Sequence, residues 1–406
     1  MKVGLQSLAL REIHEEEVGM TTYGIDLLRI AGVAMLAAAM MVSPAHAEVT
    51  IDWVTVGNPG NAADTLVMNK PNGTLPGDGT SGYGSVDYEF RISKHHVTNA
   101  QYVSYLNTVD PTGSNSLLYI ANMTDTVISG VSYPAYSGGI LRDTAAPAGS
   151  RYSVKPGQGD FPAVHINWSR AARFVNWLAN GQGPGGTESG VYDMSVFATN
   201  SFATPPPRAE NAQFFIPSED EFYKAAYYDP TKHAGAGGYW QYGTRSDSIP
   251  ASVAPPGTSN SANMGAGTTG AAGGAVALTM ATTGAEFDRD VTYLTNVGAY
   301  TTAASYYGLY DVDGLVYNWT EATRPNINFP DQMLPVYRGG AWVFNDFASG
   351  AAFRNSGNGA GVNIGQYQYW GLRVGTVAVV PEPSSLVLVA GAGVVVAIAA
   401  ARRRRR

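Results

Sequence analysis

The chain has 406 residues and a formal net charge of −7; it is 45% hydrophobic but only 14% charged, against about 25% charged in an average soluble protein. The apolar content excludes wholesale disorder, and an acidic balance excludes a role that depends on gripping phosphate backbones, so no nucleic-acid partner is expected. There is no cysteine, which removes disulfides, thiolate nucleophiles and thiolate metal sites.

Taken in chain order, the first feature is an export signal. Arg29 precedes the apolar run Ile30 to Val42, and Ala45-His46-Ala47 supplies the small-x-small pattern that signal peptidase reads, so cleavage is expected after Ala47. Residues 1–47 are therefore read as an N-terminal extension and secretory signal. Met20 is a candidate start, because Glu15-Glu16-Glu17 does not suit the basic segment that opens such a signal.

The body follows over residues 48–378. Short aromatic and β-branched runs at Ile51 to Val56, Tyr88 to Ile92, Gly339 to Phe344 and Gly371 to Val377 predict strands between Gly-rich turns. A first helix is predicted from Thr98, which caps it with Gln101 three residues on. Val97 and Tyr102 are placed as a staple, and Tyr102, Tyr105 and Leu106 fall on one face. A second runs from Ser169 to about Asn180, with Ala171, Phe174, Val175 and Leu178 on one stripe and Gly181 to end it. The third opens on the capping box Ser218-Glu219-Asp220-Glu221 and stops at Asp229-Pro230. Residues 182–212 and 247–287 are rich in Gly, Ala, Ser, Thr and Pro and read as surface insertions. No period of 20–50 residues repeats, so a solenoid or propeller is not expected. The expected fold class is α+β: one loop-rich domain with short amphipathic helices around small antiparallel sheets.

The chain closes on Pro381-Glu382-Pro383-Ser384-Ser385, the charge-free run Leu386 to Ala401, and the arginines Arg402 to Arg406. Sixteen apolar residues are slightly short of the ~20 of a spanning helix, and flanking serines and snorkelling arginines supply the difference. The arginines set the extreme C-terminus on the cytoplasmic side. Residues 379–406 resemble the PEP-CTERM sorting signal. That resemblance implies recognition by an exosortase, transient anchoring in the inner membrane, cutting near Pro381-Glu382-Pro383, and delivery to the cell surface or extracellular matrix.

Six motifs of the body, read in order, resemble those of the formylglycine-generating enzyme, or sulfatase-modifying factor, family. They are Val97-Thr98-Asn99-Ala100-Gln101-Tyr102, Phe161-Pro162-Ala163-Val164 with Asn176-Trp177-Leu178, and Ile216-Pro217-Ser218-Glu219-Asp220-Glu221-Phe222. The others are Tyr307-Gly308-Leu309-Tyr310-Asp311-Val312-Asp313-Gly314-Leu315-Val316-Tyr317-Asn318-Trp319, Arg338-Gly339-Gly340-Ala341-Trp342, and Gly371-Leu372-Arg373-Val374. The resemblance implies a variant of the C-type lectin fold.

The enzyme that names the family oxidises a sulfatase cysteine with copper held by two cysteines. Those two positions fall here on Phe344 and Ser349, neither of which offers copper(I) a soft thiolate. Formylglycine generation is therefore excluded and no copper is expected. The resemblance also implies calcium. A first site would use Asp311, the carbonyls of Gly314 and Val316, and Asn318, which stands where the family carries glutamate. A second would use Asn263, the Met264 carbonyl and Asp290. Hard oxygen donors of this kind suit Ca²⁺. His95, His96, His165 and His233 show no metal-ligand spacing and read as solvated or core side chains. Glu219 and Glu221 read as helix N-terminal carboxylates, and Arg338 and Arg373 as partners in buried ion pairs. Trp240, Tyr242, Trp342, Tyr367, Tyr369 and Trp370 read either as core or as the lining of a binding cleft.

The leading expectation is an exported, non-catalytic family member that binds an extracellular glycan, peptide or protein. The alternatives are an enzyme with altered metal-dependent oxidative chemistry on an exported substrate, and a structural component of the matrix.

Overall fold

A computed structural model describes residues 48–68, 79–198, 200, 203–267, 278–326, 329–357 and 368–377. The signal residues Ala45 and Ala47, the sorting motif Pro381-Glu382-Pro383, the apolar run Leu386 to Ala401 and Tyr367 lie outside them. Among the described residues no helix is long and apolar enough to cross a membrane.

Two four-stranded sheets organise the body. In the first, Phe90–Ser93 lies between Trp53–Val56 and Gly375–Thr376, and Gly375–Thr376 pairs on its other side with Phe214–Phe215, all antiparallel. In the second, Met333–Arg338 pairs antiparallel with Asn355–Ser356 and with Tyr317–Pro325, which pairs parallel with Trp370–Gly371. Gly371 to Val377, predicted as one strand, is thus divided between the two sheets, with Arg373 at the crossing. The strand predicted at Gly339 to Phe344 is also displaced. Pairing occupies Met333–Arg338 instead, and Gly339, at φ 85°, turns the chain out of the sheet. That conformation suits glycine, and a Cβ there would lie 2.8 Å from the Val312 carbonyl oxygen.

The three predicted helices are present. Asn99–Val109 is capped by Thr98 with both bonds of its capping box to Gln101, and buries Tyr102, Tyr105 and Leu106. Glu219–Tyr227 carries the second complete capping box, between Ser218 and Glu221. Trp168–Ala179 begins one residue earlier than predicted, because Asn167 rather than Ser169 accepts the bond from the Arg170 N–H. It is not amphipathic in the expected sense: Arg170, Arg173 and Asn176 on its polar side are as buried as Phe174 and Val175. The cover comes from residues 182–198. Asn176 donates to the carbonyls of Thr187 and Tyr192 at 2.8 Å, and Arg173 pairs with Glu188 at 2.7 Å. That segment, predicted as a surface insertion, places Val191, Tyr192 and Met194 in the core.

The first two helices meet through Tyr102, Tyr105, Phe174 and Trp177, with ring centroids 5.1 to 5.9 Å apart. This cluster continues to the second sheet through Trp319 and Trp370. The third helix packs with the first sheet through Phe222, Tyr223 and Tyr227. A further apolar cluster gathers Leu278, Met280, Tyr293, Leu315, Val316 and Trp342 beneath the Asp311 loop. The described parts of the 247–287 segment contribute Ser261–Ala262 and Thr279–Met280 to short ladders.

Candidate functional site

The loop after Gly339 carries both positions at which the resemblance implies cysteine. The Phe344 N–H donates to the Ala341 carbonyl at 3.0 Å, and its own carbonyl accepts from Gly265 at 2.9 Å, so its backbone is fixed. Its half-buried ring stands 5.7 Å from that of Tyr317 and 5.3 Å from that of Tyr369. Ser349 is fully buried, and its hydroxyl reaches only the Asn345 carbonyl at 3.5 Å. A Cβ at Gly340 would stand 2.4 Å from Ser349 Oγ, so the two loop arms touch at this point. An aromatic face and a buried hydroxyl therefore occupy the two positions, and neither donates a soft metal ligand. Of the aromatics expected in a cleft, Trp342, Trp370 and Tyr242 are buried, Tyr369 and Trp240 are half-buried. Trp342 packs on Tyr293 at 5.2 Å and belongs to the core.

The charged residues beneath this loop are structural. Arg338 is fully buried and donates to Glu219 at 2.7 Å and to the carbonyls of Ala351 and Phe353. Arg354 holds the same carboxylate at 2.8 Å. Glu221, also buried, accepts Arg208 at 2.8 Å, and Arg208 reaches Glu321 at 2.6 Å. Helix-end electrostatics thus account for only part of Glu219 and Glu221; each also neutralises a guanidinium. Arg373 departs from the expected ion pair. Its donors go to Asn318 Oδ1 at 3.0 Å and to the main-chain carbonyls of Ser93, Lys94 and Tyr310.

The Asp311 loop is built for close approach. Asp311 and Leu315 take left-handed backbone at φ 56°, and a Cβ on Gly314 would lie 2.3 Å from the Asn263 carbonyl oxygen. Asp311 Oδ2 accepts the Gly298 N–H at 2.7 Å. Burial pushes its carboxyl up to about 6, against the opposing pull of the Gly298 amide and Arg373. Asp313 is buried as well and accepts from Thr244 at 3.1 Å; burial pushes it up to about 8. Asn318 Oδ1, the oxygen assigned to calcium by resemblance, faces the Arg373 guanidinium, whose positive charge opposes a cation at that atom. Asn263 and Met264 are buried beside the loop, whereas Asp290 is 66% exposed at its side chain and lies 3.8 Å from Arg289. One member of each implied ligand set, Asn318 in the first and Asp290 in the second, thus stands against an arginine. Asp313, which belongs to neither, lines the same small cavity as Asp311 and Asn263. Its signal in the sequence is the second carboxylate of Asp311-Val312-Asp313-Gly314, two residues on and legible as turn chemistry alone.

A larger cavity of about 340 Å³ lies beside Asp52, Ser93, His95, Thr98, Gln101 and Asp160. The half-buried His95 ring stacks on Tyr310 at 5.3 Å, and His96 is buried. Burial, with the charges of Arg373 and Lys94, pushes His95 down to about 4. Among the described residues no three His, Asp or Glu side chains form a metal cluster.

The fold and the order of its motifs define a protein built on the sulfatase-modifying-factor scaffold. The model of the Sulfatase-modifying factor enzyme 1-like domain matches residues 83–374, most of the chain, and the protein belongs to that family. Solved structures similar to it include CarF, at 17% identity and a TM-score of 0.42, covering 80% of this chain and 98% of that one. PvdO from Pseudomonas aeruginosa is 18% identical with a TM-score of 0.39, covering 79% and 99%. Treponema denticola variable protein 1 is 15% identical with a TM-score of 0.41, covering 82% and 97%. No curated protein matches the chain.

Proposed function

We propose that this family member is a non-catalytic binding module, exported and displayed at the cell surface or in the extracellular matrix, whose loop around Phe344 contacts a glycan. The observation that carries this reading is the substitution at the two cysteine positions. Phe344 presents a half-buried ring beside Tyr317 and the half-buried Tyr369, and Ser349 is buried under Gly340. Flat aromatic faces with apolar and polar edges suit sugar rings and apolar side chains alike; the low charge and the sorting tail favour a polysaccharide of the envelope over a peptide. The export signal at Ala45 and Ala47 and the tail at Pro381-Glu382-Pro383 support the location, with signal peptidase and exosortase as transient partners and the Leu386 to Ala401 run as the membrane anchor before processing.

The test is saturable binding of the full chain to purified extracellular polysaccharides, with and without Phe344→Ala and Tyr369→Ala. Loss of up to about tenfold in affinity in each variant is expected, because an aromatic contact contributes roughly 0.5–1.5 kcal/mol and about 1.4 kcal/mol is a factor of ten. A parallel assay for oxidation of a cysteine-containing sulfatase peptide, with copper added, is expected to give no turnover. Turnover, or binding indifferent to both substitutions, would sink the reading and favour an enzyme with altered chemistry.

A further inference from the structure

The first sheet has two unlike faces. Val56, Phe90 and Ile92 point into the core with Phe222 and Tyr223 of the third helix. Cross-strand partners share a face, so Thr55, Arg91, Thr376 and Phe214, which stand in one row across the four strands, project from the other. Trp53, two residues before Thr55, joins them. Trp53 and Phe214 belong to the two outer strands, which three strand spacings put about 14 Å apart. Their half-buried rings nevertheless meet at 6.1 Å between centroids, 29° from parallel, and so reach towards each other over the middle strands.

Arg91 stands in the middle of that row, with the exposed Thr55 opposite it. Arg173, Arg208, Arg245, Arg338 and Arg354 each hold a carboxylate at 3.0 Å or less. Arg91 does not. Its Nε is buried and meets no acceptor, and among the described residues no carboxylate pairs with its guanidinium. The carboxylates at the ends of these two strands are directed elsewhere: Glu89 Oε2 lies 3.7 Å from where a Cβ on Gly57 would stand, and Asp52 borders the larger cavity. A donor fork without an acceptor, set beside two aromatic faces, fits a guest that brings a planar anion and an apolar surface together. A guanidinium takes a carboxylate in a bidentate grip, and aromatic faces take the apolar side of a sugar ring. One guanidinium balances the single charge of a carboxylate, whereas a phosphate monoester would carry nearly two.

We propose that the outer face of the first sheet binds an acidic sugar of the uronate class, its carboxylate on Arg91 and its ring on the Trp53–Phe214 pair. Phe344 packs on Tyr317 of the second sheet, so this surface is a different one and the inference does not rest on the reading of the Phe344 loop. The net charge of −7 does not forbid an anionic guest. Charges farther than about 8 Å are largely screened at physiological ionic strength, and the local guanidinium decides.

The experiment is calorimetric titration of the full chain with trigalacturonate. Saturable binding is expected, and maltotriose, which lacks the carboxylates, should not displace the ligand. Arg91→Gln should weaken binding by about tenfold, because a charge-assisted hydrogen bond is lost. It should melt as the parent does, since Arg91 has no partner within the protein to lose. Thr55→Glu places a carboxylate directly opposite Arg91 and should weaken binding by a similar factor while leaving the fold intact, which keeps the test decisive if Arg91→Gln does not fold. Arg142→Gln removes an exposed guanidinium that lies over Tyr119 and should bind as the parent does. The proposal is overturned if trigalacturonate does not bind, if maltotriose displaces it, or if Arg91→Gln or Thr55→Glu leaves the affinity unchanged. It is overturned equally if Arg142→Gln weakens binding as much as Arg91→Gln, or if vesicles of phosphatidylglycerol bind through Arg91 and trigalacturonate does not.

Discussion

Glu219 holds two guanidinium groups with one carboxylate, and both arginines come from the C-terminal third of the chain. Arg338 is completely buried and Arg354 nearly so. Neutralising that carboxylate strands a charge in the interior, so Glu219→Gln is expected to lower stability by about 3–5 kcal/mol, measured as the shift of a urea unfolding curve. Arg338→Lys tests the geometry rather than the charge; a single ammonium cannot serve Glu219 and the carbonyls of Ala351 and Phe353 with the same planar fork. The motif around Glu219 was legible in the sequence, and so was its place at a helix start. Its second duty was not, because the partners lie 119 and 135 positions away. Asp313 escaped for the opposite reason. Asp at such a turn has a sufficient local explanation, and only the cavity it shares with Asp311 and Asn263 sets it apart.

Capping boxes were the most reliable signal at the level of elements. Thr98 with Gln101 and Ser218 with Glu221 both close as their spacing dictates, since side chain and amide are neighbours whatever the tertiary context. Ser218→Ala removes the acceptor of the Glu221 N–H, 3.1 Å away, and is expected to cost about 1 kcal/mol, seen as a lower urea midpoint with an unchanged slope. Strands were read less well. Met333–Arg338 contains Pro335, which discourages a strand assignment, yet Pro335 stands opposite Thr323 at the end of an irregular stretch of pairing where a ladder donor is dispensable. Gly339 to Phe344 has the aromatic and β-branched content of a strand but follows a glycine in left-handed backbone. The second helix shows the limit of periodicity: its apolar stripe was correct, while its polar face is covered by a segment whose composition resembles a surface loop.

For the whole molecule, family and fold were legible because the motifs are the structural joints: helix caps, the Asp311 loop and the Arg338 turn. The export reading concerns segments beyond the described residues and rests on sequence alone. It makes a direct prediction. In cells of the source type, Pro381→Ala combined with Pro383→Ala should leave the protein in the inner-membrane fraction, whereas the parent, starting at Glu48, should leave it; fractionation with N-terminal sequencing distinguishes the two. An unchanged distribution would remove the sorting assignment while leaving the family assignment intact.

The first sheet places Gly375–Thr376 between Phe90–Ser93 and Phe214–Phe215. Its central ladder is thus completed by almost the last residues of the body, and the strand at Trp53 joins it through Phe90–Ser93. Contacts that span nearly the whole sequence are slow to form, because a large loop must close before they contribute. A chain threaded outward from its N-terminus cannot zip this sheet until residue 376 has emerged. By then the apolar tail is the next segment to arrive. Under the export proposed above, such a tail would hold the newly emerged chain at the membrane while Gly375–Thr376 finds Phe90–Ser93 and Phe214–Phe215.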